Sequence, residues 1–312
     1  MRSVLLTGAS GFVGRALYQE LSARGLHVRC ASRRPQQAQA RWPEREWCYL
    51  DVEDEGSIAA AFDGCDAAYY LVHSMGQAGD FEAREARAAH GFAEAARRAA
   101  VRRIVYLGGM KPDGEPSKHL RSRLSTGRVL RASGVVCFEL RASMIIGEGS
   151  ESWLVARDLA ARLPLMVLPR WTEHRTEPLG IDDVCTALAD ALSVDESQQG
   201  VWDLPGPERL SIREILLRIA ALRGTRPRAL PVPWLSPSLS GHWIRFVSRA
   251  NQAIAKELVE GMSSEVCSTE RSFWELSGRA PLSFDEAVRR ALAQDSQPEN
   301  RWERAVRRLA RS

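Results

Sequence analysis

The chain has 312 residues, 45% hydrophobic and 26% charged, with a formal net charge of +4. That length permits one large domain or two small ones around an ample core. The apolar content excludes a disordered chain, and 23 glycines and 15 prolines scattered without period exclude a collagen-like or coiled-coil one. Of the 43 basic residues only Lys111, Lys118 and Lys256 are lysine. The stretch from Arg289 to Ser312 carries seven arginines against Asp295, Glu299 and Glu303, so the remainder is formally neutral. A nucleic-acid binder would instead spread a basic face over its fold.

Residues 4–7, 27–32, 47–50, 67–72, 103–107 and 135–140 read as strands. Between them, residues 12–24, 57–62, 81–99 and 118–133 read as helices. Strands alternating with helices imply βαβ units, and strands apolar on both faces imply a parallel sheet covered on both sides. The expected fold class is therefore α/β, a doubly wound parallel Rossmann sheet with a smaller, discontinuous C-terminal substrate lobe. The boundary is placed near residue 150. Residues 1–150 form the dinucleotide-type domain, and 151–312 form a mixed α/β lobe, with segments returning to the sheet and C-terminal helices. In the later part, residues 151–162, 182–192, 212–222, 234–248, 284–293 and 300–311 read as helices. Residues 165–168, 176–181, 201–204 and 228–231 read as short strands. No run approaches the roughly 20 apolar residues of a membrane span. The stretch before the first glycine turn is too short for a signal peptide. Cys30, Cys48, Cys65, Cys137, Cys185 and Cys267 form no Cys-x-x-Cys pair and mostly sit in apolar runs, which fits a reducing, cytoplasmic setting.

The strongest motif is Leu6-Thr7-Gly8-Ala9-Ser10-Gly11-Phe12-Val13-Gly14, placed after a strand and opening a helix. Gly8 permits a tight turn, Gly11 lets backbone approach a pyrophosphate, and Gly14 lets the helix pack on the strand. The helix N-terminus offers unpaired N–H groups to phosphate. The spacing is G-x-x-G-x-x-G. With it go residues 81–107, Ile181-Asp182-Asp183-Val184, and the stretch 200–207 followed by Leu210-Ser211-Ile212-Arg213-Glu214. On these motifs the chain, over roughly residues 1–225, resembles the extended or atypical branch of the short-chain dehydrogenase/reductase superfamily. Within it, Leu71 to Met75 and His119 to Arg123 look most like the NmrA-like NAD(P)H-binding reductases.

The resemblance implies a nicotinamide cofactor held by Thr7, Gly8, Ser10, Gly11, Phe12, Val13 and Gly14. Asp51 and Val52 would flank the adenine, and Leu71, Val72 and His73 would lie along the cofactor's middle. Gly108, Gly109 and Arg123 would meet its nicotinamide end. No acid ends the second strand to bind a ribose 2′-hydroxyl; Ser32, Arg33 and Arg34 stand there instead, which favours NADP(H) over NAD(H). The family's Tyr-x-x-x-Lys pair is missing. His119 falls where the tyrosine would be and Arg123 where the lysine would be, four residues apart on one helix face. His119 is the expected proton donor and Arg123 the expected ribose clamp. Gly108-Gly109 replaces the usual strand-end hydroxyl, leaving Ser143 as the nearby one. His119 read as a structural helix-terminal residue is the competing account. His73 either approaches the nicotinamide or caps a strand; His90 reads as structural in mid-helix, His174 lies in the charged loop at 170–175 that is either a lid or plain surface, and His27 and His242 have no partners in sequence. No metal-ligand spacing is present.

The expected function is hydride transfer to or from a small apolar carbonyl, enone or quinone. Two alternatives stand beside it: a non-catalytic NADP(H)-binding redox sensor, and an isomerase or epimerase holding NAD(P). The apolar helix at 234–248 would line the substrate pocket, cover the main domain or form the face of a homodimer. The basic helix at 300–311 is either solvated or meets a partner or an anionic membrane surface.

Overall fold

In the computed structural model, residues 3–72, 81–162, 165–225, 227–232 and 264–295 are described. His73, His242 and the helical patterns at 234–248 and 300–311 lie outside them. The first half runs β1 (Ser3–Leu6), α1 (Phe12–Ala23), β2 (His27–Ser32), α2 (Pro35–Arg41), β3 (Glu46–Tyr49), α3 (Glu55–Ala61) and β4 (Ala67–Tyr70). It continues through α4 (Phe81–Arg98), β5 (Arg103–Gly109), α5 (Lys118–Arg131) and β6 (Val136–Ala142). The second half runs β7 (Ile145–Ile146), α6 (Glu151–Arg162), β8 (Leu165–Pro169), β9 (Arg175–Thr176), β10 (Leu179–Gly180) and α7 (Ile181–Asp190). Then come β11 (Gly200–Leu204), β12 (Leu210–Ser211), α8 (Ile212–Leu222), β13 (Arg228–Val232), α9 (Phe273–Ser277) and α10 (Phe284–Ala293).

Seven strands join in one parallel sheet ordered β11-β6-β5-β4-β1-β2-β3. Strands such as β4 and β5 are buried at every residue, as both-face coverage demands. On one face Leu17 and Leu21, a helical turn apart on α1, pack with Leu188 of α7 over Val4, Leu6 and Tyr69. On the other, Ile58 of α3 and Phe92 of α4 cover Leu5, Tyr70 and Ile104. A separate apolar cluster joins Trp153 of α6, Ile215 and Leu216 of α8, Phe284 and Val288 of α10, and Trp171. The strand order turns in opposite directions on either side of β1, and that places a crevice outside the carboxyl ends of β1 and β4.

Three elements depart from the sequence expectation. Residues 35–41 form a helix that their glutamines and alanines do not advertise; Pro35 opens it, where a missing N–H costs nothing. The strand expected over 176–181 is broken into β9 and β10 around Glu177-Pro178, since proline has no donor for a ladder. Residues 273–277 form a short helix capped by Ser272, whose hydroxyl accepts from the Trp274 N–H. Among the described residues no helix is long and apolar enough to cross a membrane.

Candidate active site

The glycine loop is built from the strand end upward. Thr7 is fully buried. Its hydroxyl donates to the Tyr69 carbonyl (2.8 Å) and accepts from the Leu71 N–H (2.9 Å), tying β1 to the end of β4. Its hydrogen bonds thus fix the floor of the loop. Gly8 adopts φ +65° and accepts from the Gly11 N–H (2.9 Å), and a Cβ there would lie 2.6 Å from the Leu71 carbonyl oxygen. A Cβ on Gly14 would overlap the Gly8 carbonyl. Ser10 and Gly11 are exposed, Phe12 and Val13 half-buried. No side chain caps the helix at Gly11, and no acid occupies the first turn of α1. A cradle of exposed glycine backbone at an uncapped, acid-free helix N-terminus fits a dinucleotide pyrophosphate.

At the next strand end, the Ser32 hydroxyl oxygen accepts from the Arg34 N–H (3.0 Å), and Arg33 and Arg34 are exposed. Asp51 accepts from the Glu53 N–H (3.1 Å), and Val52 packs on the α3–α4 core. Leu71 and Val72 are half-buried past the end of β4.

The helix α5 starts at Ser117, whose hydroxyl accepts from the Leu120 N–H (3.3 Å). His119 is its second residue and Arg123 lies one turn on. Arg123 Nη2 donates to the Leu107 carbonyl (2.7 Å), and the Tyr106 hydroxyl donates to the Arg123 carbonyl (2.9 Å). Arg123 is thereby fixed at the carboxyl end of β5. Gly109 explains the close approach, because a Cβ there would lie 2.6 Å from Leu120 Cδ1. His119 is half-buried, and burial first and the Arg123 charge second pull its pKa down to about 4. Its imidazole is neutral through the physiological range. Ser143, beyond β6, donates its hydroxyl proton to the Glu177 carbonyl (2.7 Å). That leaves the hydroxyl only acceptor capacity.

A charged cluster beneath this site was not anticipated from sequence. Glu139, in the middle of β6, is fully buried, pairs with Arg131 and Arg141, and faces Gly127 of α5. A Cβ on Gly127 would overlap its carboxylate. Glu85 of α4 accepts from the buried Ser122 hydroxyl on α5. The available signal was a lone acid inside the otherwise apolar run 135–140.

The model of an NAD(P)H-binding family matches residues 8–143. A stretch of 126 residues is 31% identical to cinnamoyl-CoA reductase 1 of Oryza sativa subsp. japonica, covering 36% of this chain and 37% of that protein. The chain thus spans little more than a third of the length of that curated relative. Among solved structures, the NADP(H) complex of triphenylmethane reductase from Citrobacter sp. superposes with a TM-score of 0.73 at 17% identity. It covers 93% of this chain and 99% of that one. A nucleoside-diphosphate-sugar epimerase from Staphylococcus aureus gives 0.73 at 17% identity, covering 92% and 99%. At those identities the two structures attest the fold.

Proposed function

We infer the function of this chain as that of a member of the extended short-chain dehydrogenase/reductase superfamily: an NADP(H)-dependent reductase of small, largely apolar carbonyl, enone or quinone acceptors. The carrying observation is the uncapped glycine cradle at Gly8 to Gly14 with Arg123 fixed at the carboxyl end of β5 and His119 one helical turn before it. The cofactor supplies hydride, and the protein supplies orientation and a hydrogen-bond donor for the developing negative charge.

Each residue then has a task. The first-turn N–H groups of α1 hold pyrophosphate. Arg33 and Arg34 grip a 2′-phosphate, while Asp51, Val52, Leu71 and Val72 border the adenosine half. Arg123 clamps ribose hydroxyls while anchored on Leu107. His119, neutral, donates an imidazole N–H hydrogen bond to the oxygen on which negative charge develops, as a neutral electrophile and not as an imidazolium, and water delivers the proton that completes the reduced product. Its position one turn from Arg123 supports a role at the nicotinamide end. Ser143 accepts a hydrogen bond at the pocket rim. The cluster around Trp153 and Phe284 is the core of the substrate lobe. Six free cysteines suit work in a reducing compartment such as the cytoplasm.

The test is NADPH oxidation against panels of aromatic and aliphatic carbonyls, enones and quinones. Turnover that falls at least about 100-fold in His119→Ala supports the reading. Full turnover in His119→Ala removes His119 from the mechanism, and tight NADPH binding with no acceptor turned over transfers the chain to the redox-sensor class. Arg33→Ala or Arg34→Ala is expected to cut the preference for NADP over NAD about tenfold, the worth of a charge-assisted hydrogen bond. Unchanged discrimination in both assigns the 2′-phosphate elsewhere.

A further inference from the structure

The flank of α1 carries a second concavity. Its volume is about 640 Å³, ample for a small organic ligand. Phe12, Arg15, Arg41, Trp42 and Arg45 form one wall, and residues from 148–157 and the end of α10 form the other. None of Gly109, His119, Arg123 or Ser143 lines it. We propose that this cleft is a second ligand site that binds a phosphate group through Arg15, Arg41 and Arg45.

Three observations converge on it. Arg45 is only 6% exposed, stacks over Tyr18 (4.2 Å) and Trp42 (5.2 Å), and its Nη1 has no hydrogen-bond partner. A buried guanidinium N–H left unmatched is costly, and an anion supplies the missing acceptor. Second, Arg41 and Arg45 both lie within electrostatic reach of Arg15, and after burial their charges are what lower the Arg15 pKa. Like charges gathered on one wall repel unless a counter-charge joins them. The side chain of Arg15 meets only a neutral acceptor by hydrogen bond, the Ser10 carbonyl (3.1 Å), with Glu148 a weaker electrostatic neighbour. Arg41 stacks on Trp42 (4.7 Å), and Arg45 pairs with the exposed Glu44 (3.0 Å) outside the cleft.

Third, acids on the opposite wall are already matched. Asp295 pairs with Arg157 (2.7 Å) and Asp182 with Arg290 (3.1 Å). Glu148 and Glu151 also have interactions of their own. The basic wall is thus the side with charge to spare. A phosphate, with three acceptor oxygens and up to two charges, suits three guanidiniums better than a carboxylate does.

The experiment is calorimetric titration of the cofactor-free chain with inorganic phosphate and, separately, with glycerol 3-phosphate. Variants are Arg41→Ala, at an exposed position, Arg45→Met, and the Arg33→Ala/Arg34→Ala pair, each checked by thermal melting. Saturable binding that weakens at least about tenfold in Arg41→Ala, a loss of 1.4 kcal/mol, and persists in the Arg33/Arg34 double variant supports the site. A tighter glycerol 3-phosphate assigns the phosphate to an organic monoester, and equal affinities assign it to the free ion. Absence of saturation by about 10 mM, weaker than any useful site at millimolar affinity, overturns it. So does binding that Arg41→Ala leaves intact. The titration requires no cofactor, so its failure is separate from failure of the reductase reading.

Discussion

At the scale of single residues, His119 sets the pH behaviour. The free imidazole of an unfolded chain titrates near 6.5, and the folded one near 4. The unfolded state therefore binds the extra proton between those values, so stability is complete above about pH 6.5 and falls as the pH drops toward 4. Two and a half pKa units correspond to about 3 kcal/mol. Denaturant unfolding of wild type and His119→Asn from pH 4 to 7 is expected to converge at low pH by about that amount. Parallel curves would mean that His119 is not held neutral. The same shift predicts a turnover profile without an inflection near 6.5, read from rates between pH 5.5 and 8.5. The residue type and spacing of His119 and Arg123 were legible from sequence. The depressed pKa was not, because it comes from burial and from Arg123, and both require the folded helix.

At the scale of elements, α5 is the helix to which the proposed function assigns the proton and ribose contacts, and Glu139 sits where it packs on the sheet. Gly127 leaves room for the buried carboxylate, and Arg131 and Arg141 neutralise it. Gly127→Ala is expected to push α5 off β6 and cost about 2–3 kcal/mol by overpacking. The larger fall should be in kcat, since Arg123 would lose its hold on Leu107. A denaturation midpoint and kinetics equal to wild type would contradict this. The doubly wound parallel sheet and its first six strands were readable from alternating apolar runs and helices, whose periods differ clearly; the strand order and the place of β11 at its edge come from the fold. The helix at 35–41 was not, because its one buried residue, Ala38, leaves no apolar stripe. Nor was the division of 176–181, where backbone pairing partners come from β7 and β12, far away in sequence.

At the scale of the whole molecule, late segments return to finish the sheet. β11 pairs with β6 in register from Gly200↔Phe138 to Leu204↔Ala142. Asp203, 1% exposed, accepts from the N–H groups of Thr269 (2.8 Å) and Glu270 (2.9 Å). Trp274 adds a hydrogen bond to the Pro205 carbonyl (2.7 Å). Asp203→Ala would strand those two donors, and a loss of about 3 kcal/mol is expected in thermal or denaturant unfolding, with faster exchange at 269 and 270. Unaltered exchange there would contradict this role of Asp203. The net charge of +4 says little about any of this. The arginines named above stand in threes or fewer, after β2, around α5 and along the flank of α1.

The central claim is that the loop from Gly8 to Gly14 is where the nicotinamide cofactor sits. Gly11 is exposed, and a Cβ on it meets only the Gly8 carbonyl oxygen, at 3.1 Å. A larger side chain there fills the approach without disturbing the core. NADPH titration of wild type and Gly11→Val, followed by the fluorescence of bound NADPH, is the direct measurement. The account predicts saturable one-to-one binding by wild type and at least about a hundredfold weaker binding by Gly11→Val at nearly the same melting temperature, a loss of about 2.7 kcal/mol. Wild type that fails to bind, or a Gly11→Val that binds equally well, would contradict it.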